Sequence, residues 1–130
     1  GFIPCGDSDE NGVHYEMFEH YMFIESENDP ANDPLIVWTN GGPGADSIFG
    51  LFTELGPLWL YGDSLKTDAF NQTGVPTLFY NEHGWTQVAN VLVINSPPPV
   101  GFSYCTPEGP TGKGDSCGTW NDTKTAYHNA

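Results

Sequence analysis

Arginine is absent from this sequence, and its three lysines face seventeen aspartate and glutamate residues, leaving a formal charge of −14 at pH 7. Phosphate backbones and anionic headgroups are bound by clustered positive charge, so this balance argues against a nucleic-acid partner and against a membrane surface. Long apolar runs are missing as well: none approaches the roughly 20 residues of a helical membrane span, and the chain is read as making no membrane contact. Cysteine is scarce. Cys5, Cys105 and Cys117 are the only three, and they form no C-x-x-C pair or Cys/His ligand spacing, so no metal is expected. Cys105 and Cys117 share one Gly/Pro-rich stretch and can close a small loop, which leaves Cys5 without a local partner. Charged residues are only 15% of the chain against 38% hydrophobic and 14% aromatic. That is too apolar for a solvating acidic tail, so a folded chain is expected.

What is present reads as an α/β arrangement over 130 residues, the length of one domain or of part of a larger one. Val13, Tyr15, Met17 and then Tyr21 to Ile24 partly alternate with His14, Glu16 and Glu19, the pattern of half-buried strands in a meander. A polar turn over 25–34 leads into Leu35-Ile36-Val37-Trp38, a continuous apolar run expected of a strand covered on both faces. Asn40-Gly41-Gly42-Pro43-Gly44 follows. Next comes a stretch of helical spacing with Asp46 or Ser47 as N-cap, ending at Gly56-Pro57. Residues 58–87 carry many turn signals, Val91 to Ile94 form a second buried-strand run, and residues 105–120 a Gly/Pro/Cys loop. The last residues from Asn121 read as a capped helix. Two buried-type strands separated by a helix predict an α/β sheet preceded by an antiparallel edge.

The glycine turn is the feature with most chemical content. Between a buried strand and a helix it presents backbone N–H groups at the carboxyl edge of a sheet, where ligands bind in open α/β folds. A bound phosphate would suit the helix start, but the lysine and spacing of a P-loop are missing. An oxyanion in acyl transfer would suit a glycine N–H, and a tight turn needing positive φ explains the glycines equally. Ser47, Ser96 and Ser103 all lack the G-x-S-x-G context of a nucleophile, and no histidine is paired with one. His14 and His20 fall in the meander, where surface or cross-strand roles are expected. The sequons Asn71-Gln72-Thr73 and Asn121-Asp122-Thr123 fit glycosylation in an oxidising secretory route, which is vacuolar, lysosomal or extracellular. No signal peptide is visible, as expected of a mature chain starting at Gly1 or of a segment excised from a longer one.

Five ordered blocks carry a resemblance. They are Tyr21-Met22-Phe23-Ile24-Glu25-Ser26; Asp33-Pro34-Leu35-Ile36-Val37-Trp38-Thr39-Asn40-Gly41-Gly42-Pro43-Gly44; Glu54-Leu55-Gly56-Pro57; Trp85 with Val88-Ala89-Asn90-Val91-Leu92; and Val100-Gly101-Phe102-Ser103-Tyr104. In order and spacing the chain resembles the amino-terminal part of the serine carboxypeptidases, a branch of the α/β-hydrolases. The resemblance implies antiparallel edge strands leading into a mostly parallel central sheet. Residues 1–130 would be one segment of a single domain, incomplete without a carboxyl-terminal remainder. That remainder would hold the Ser, Asp and His of the catalytic triad and would be this segment's partner, with a peptide carrying a free carboxyl terminus as substrate. No cofactor is implied, and a homodimer is compatible.

Site roles implied by the resemblance fall on particular residues. Gly42 would give its N–H to the oxyanion hole. Asn40, with Gly41 beside it, would donate to the substrate's terminal carboxylate, and Trp38 and Glu54 would support that clamp. Acidic groups close together share a proton, so such a site binds a carboxylate best in acid. Read alone, Glu54 is a solvated acid near a helix end. Ala45 stands where the family usually has a cysteine, Asn95 where it has the Asp of Asp-Ser-Pro, and Pro98-Pro99 where it has Ala-Gly. These departures imply altered substrate preference. They keep open a non-catalytic binding or assembly subunit, beside an acyltransferase or hydroxynitrile lyase of the same wider family.

Overall fold

A computed structural model of the chain describes residues 1–107, 109 and 117–129. It opens with a hairpin of two antiparallel strands, β1 (Phe2–Glu10) and β2 (Val13–Ile24). Their turn is Asn11-Gly12, with φ of 51° and 80°. Positive φ at both central residues matches the right-handed twist of the flanking strands, which is why Asn-Gly recurs in two-residue hairpins. The ladder runs from Glu10↔Val13 to Phe2↔His20 and shifts register between Pro4 and Gly6. Gly6, at φ 115°, takes a backbone conformation that side chains resist.

The remaining strands are β3 (Leu35–Trp38), β4 (Leu58–Trp59), β5 (Phe79–Tyr80), β6 (Asn90–Asn95) and β7 (Tyr104–Cys105). The main sheet has the order β1-β2-β6-β3, with β7 pairing antiparallel on β2, while β4 and β5 form a separate antiparallel ladder. The expected antiparallel edge is therefore the β1–β2 hairpin. β6 is interior and largely buried, as its apolar run predicts. β3 has the predicted limits but not the predicted burial: Leu35 and Val37 are 55% and 56% exposed. The strand ends the sheet order, and nothing among the described residues covers the face that carries them.

After β3 and the glycine turn, helix α1 (Ser47–Gly50) continues as a π-helical turn over Leu51–Leu55. Asp46 is the residue that caps it, its Oδ1 accepting from the Ile48 N–H at 2.9 Å. Gly56 ends the helix by donating to the Leu51 carbonyl at 3.0 Å, and a Cβ at that position would collide with the same oxygen. Within 58–87 lie helix α2 (Asp68–Thr73) and short 3-10 turns. Helix α3 (Asp122–His128) begins as predicted, with Asn121 Oδ1 accepting from the Lys124 N–H at 2.9 Å.

The chain forms two compact units, Gly1–Met22 with Trp38–Ile48 and Val93–Ala130, and Phe23–Val37 with Phe49–Leu92. The first is centred on Met17, Cys105 and Cys117, all fully buried, with Cys5, Tyr15 and Trp120 packed around them. Cys105 and Cys117 are joined in a disulfide, as their spacing predicts, and Cys5 is a free thiol. Of the Gly/Pro/Cys loop between them, residues 108 and 110–116 lie outside the described residues. In the second unit, Leu51, Leu55, Ala89 and Val91 are buried. Ser26 is a polar hub there: its N–H donates to Asn90 Oδ1 at 3.0 Å and its hydroxyl to Asp33 Oδ2 at 2.6 Å.

Candidate active site

The glycine turn leaves β3 within the first unit. The Trp38 Nε1–H donates to Asn40 Oδ1 at 2.6 Å, which fixes the orientation of the Asn40 amide. With Oδ1 turned to the indole, the donor end, Nδ2, is the end that can face an anionic ligand. The Asn40 N–H donates to Ser47 Oγ at 3.0 Å, and the Gly41 carbonyl accepts from the Ala45 N–H at 3.2 Å, so the turn closes on itself. Gly42 and Gly44 have φ of 138° and 90°, conformations that select glycine. A Cβ on Gly42 would also come within 3.1 Å of the Ala45 nitrogen. Residues Gly41 to Ala45 are exposed, and among the described residues neither the Gly42 N–H nor Asn40 Nδ2 has a partner. Trp38, Asn40, Gly41 and Gly42 are thus brought together on one short turn with donors open.

Beneath the turn lies a chain of hydrogen bonds that the sequence reading did not contain. The Ser47 N–H donates to Asn95 Oδ1 at 2.9 Å, the Ser103 hydroxyl donates to the Asn95 carbonyl at 2.6 Å, and the His20 N–H donates to Ser103 Oγ at 2.8 Å. Ser47 and Asn95 are 1% and 0% exposed. Ser47 is therefore a structural link and no nucleophile, and Asn95 is more than a departure from a motif. Beside the turn is a cleft of about 440 Å³, lined by Asn40, Gly41 and Gly42 together with Ser96, Thr125 and Asn129. The Ser96 hydroxyl donates to Asn129 Oδ1 at 2.7 Å within that lining. A neighbouring cleft of about 580 Å³ is lined by Pro97, Pro98 and Pro99 together with Pro43 and Gly44. The proline run thus shares a cleft with the glycine turn.

Several titratable groups of this unit are perturbed. Burial lowers the pKa of the His20 ring, and the Gly1 amino group adds to this while Asp46 opposes it. Burial raises the carboxyl of Glu19, which is 4% exposed with Oε1 unpartnered among the described residues; the Ser96 hydroxyl and His128 pull it back. The Cys5 thiol is pushed up to about 12 by burial and by Glu19, which keeps it protonated and inert. His14 is exposed and pairs across the hairpin with Asp9, Nδ1 to Oδ1 at 2.9 Å. Glu54 lies in the second unit with its side chain exposed, and its carbonyl accepts from Trp59 Nε1 at 3.2 Å. Both sequon asparagines, Asn71 in α2 and Asn121 at the start of α3, are exposed.

The family model described as serine carboxypeptidase matches residues 5–130. The chain belongs to the serine carboxypeptidase family. Among its relatives, the lysosomal protective protein of Mus musculus is 43% identical over 129 residues, covering 99% of this chain and 22% of that protein. Serine carboxypeptidase-like 14 of Arabidopsis thaliana is 44% identical over 104 residues, or 80% of this chain and 21% of that protein. In three dimensions the chain is similar to Kex1(delta)p, a prohormone-processing carboxypeptidase from Saccharomyces cerevisiae. The TM-score is 0.64 at 28% identity, covering 99% of this chain and 25% of that one. The chain thus spans about a fifth to a quarter of the length of these serine carboxypeptidase relatives. The fold class is the expected one, part of an α/β-hydrolase with an antiparallel hairpin at the sheet edge.

Proposed function

We infer that this chain supplies the carboxylate-binding and oxyanion side of a serine carboxypeptidase, which releases carboxyl-terminal amino acids from peptides through an acyl-enzyme. The observation that carries the reading is the 2.6 Å bond from Trp38 to Asn40 Oδ1. It turns the amide so that its donor end alone can meet an anion, and a peptide's terminal carboxylate is the anion that a carboxypeptidase must recognise. Asn40 binds that carboxylate with Gly41 beside it, and Trp38 orients Asn40. The Gly42 N–H stabilises the tetrahedral oxyanion, a donor worth about 2.7–4 kcal/mol in comparable sites.

The nucleophilic Ser, its His and its Asp belong to a carboxyl-terminal remainder of the same domain, and the two parts together run the Ser-His-Asp cycle. The disulfide and the exposed sequons at Asn71 and Asn121 support a secretory route ending in a lysosome, a vacuole or outside the cell. The test is turnover by the intact natural protein of a blocked dipeptide with a free carboxyl terminus, beside its carboxyl-terminal amide. Release of the terminal amino acid from the free acid alone is expected. Turnover of an acyl-glucose or a hydroxynitrile instead would move the chain to another reaction. Absence of all turnover would make it a binding subunit.

A further inference from the structure

Asn95 ends β6 with its side chain fully enclosed, and it reaches the glycine turn from below. Its Oδ1 accepts from the Ser47 N–H, and Ser47 Oγ accepts from the Asn40 N–H, so two bonds in series tie both ends of the turn to the sheet. The other end of the amide, Nδ2, has no partner among the described residues. Gly101 shows what this end faces. A Cβ built there would overlap the Asn95 amide and would lie 2.8 Å from the carboxyl carbon of Asp46. The amide and the Asp46 carboxyl therefore crowd the same point, and Gly101, at φ 57°, leaves the room for both.

We propose that Ser47 and Asn95 are positioning residues that set the backbone of Asn40 to Gly44, and that position 95 requires a neutral amide because Asp46 already places a carboxylate beside it. The inference rests on the roles given above to Asn40 and Gly42. A carboxylate at 95 would stand beside that of Asp46, where the two share a proton and cannot both ionise without strain on the turn. The other titratable groups here are His20 on β2, which feels Asp46, and the Gly1 amino group, which acts on His20. Both are present in the unaltered protein too, so neither can imitate an ionisation that appears only in a variant. Phe102 and Ser103, from the segment after β6, are neutral.

The test uses the intact natural protein labelled with 15N-glycine, followed by the amide resonances of the glycine turn against pH, beside the pH profile of kcat/KM. In Asn95→Asp a new ionisation is expected in both. Above it, the protonated fraction, and kcat/KM with it, falls about tenfold for each pH unit. In Asn95→Asp combined with Asp46→Asn one carboxyl remains, as in the unaltered protein, so that second, raised ionisation disappears. The proposal is overturned if the glycine resonances of Asn95→Asp titrate as in the unaltered protein, or if the ionisation survives in the double variant. It is also overturned if the resonances move while kcat/KM keeps its profile. If the unaltered protein turns over no substrate while the resonances behave as expected, the carboxypeptidase reading fails and the positioning of the turn stands. Should Asn95→Asp not fold, Ser47→Ala decides: it removes the acceptor for the Asn40 N–H without altering charge. Unmoved Gly41, Gly42 and Gly44 resonances in that variant refute the positioning role.

Discussion

Trp38→Phe removes one donor and keeps a large apolar ring at the end of β3. The Trp38 Nε1–H fixes the Asn40 amide through a 2.6 Å bond, and a neutral hydrogen bond of this kind contributes about 0.5–1.5 kcal/mol net. Without it, the amide is free to turn Oδ1 towards a bound carboxylate, an orientation that repels the substrate. The same 0.5–1.5 kcal/mol then appears as weaker ground-state binding, a rise in KM of about two- to twelvefold. The carboxylate is held equally in ground and transition states, so kcat should hold. Asn40→Ala sets the ceiling. It deletes a bond to a charged group, worth about 1.5–3 kcal/mol, which corresponds to a ten- to 150-fold rise in KM.

The assay for Trp38→Phe compares initial rates on a blocked dipeptide, with a blocked amino acid and its amide as competing inhibitors. Only ligands carrying the free carboxylate should lose affinity. Equal losses for acid and amide, or a tenfold fall in kcat at unchanged KM, would refute the reasoning.

Glu19 makes stability depend on pH. Its carboxyl lies above its ordinary range because it is buried, so the native state favours the protonated form. Burial then costs nothing below the unfolded-state value, and the cost grows as pH rises from there to the native value. Glu19→Gln should leave melting unchanged in acid and stabilise at neutral pH by about 1–3 kcal/mol; stabilisation in acid instead would show that burial is not the cause. Gly56→Ala should destabilise by about 1–3 kcal/mol in denaturant melts, because its Cβ meets the Leu51 carbonyl; a neutral outcome would mean that the π-helical turn relaxes freely. Replacing both Cys105 and Cys117 by serine opens a disulfide spanning 12 positions, a loss of about 3 kcal/mol that should vanish when the comparison is made in reductant.

Local chemistry made much of this legible in advance. The limits of β3 follow from a run of β-branched and aromatic residues, and the start of α3 from the capping chemistry of Asn121. The disulfide follows from two cysteines sharing one turn-rich stretch. β1 was not legible from alternation, since Gly6, Asp7, Ser8 and Asp9 carry no apolar period. The Asn11-Gly12 pair was the usable signal, and it dictates a hairpin whatever precedes it. The exposure of Leu35 and Val37 escaped the reading because an apolar run records what a strand must eventually bury, whereas exposure depends on what lies over it. Ser47, Asn95 and Ser103 escaped for a different reason. Their bonds join residues as much as 83 positions apart, and each looks ordinary beside its own neighbours. The glycine turn itself was readable as a turn with open donors. The direction of the Asn40 amide, on which its chemistry depends, required the structure.

The central claim, that this chain completes a serine carboxypeptidase, is tested most directly by treating the natural protein with a fluorophosphonate, which labels only an activated serine, and mapping the label by mass spectrometry. The account predicts one labelled serine on a polypeptide continuous with, or bound to, this chain, with labelling suppressed by a blocked amino acid bearing a free carboxylate and not by its amide. Folded protein that takes up no label, or a label that acid and amide suppress equally, would contradict it.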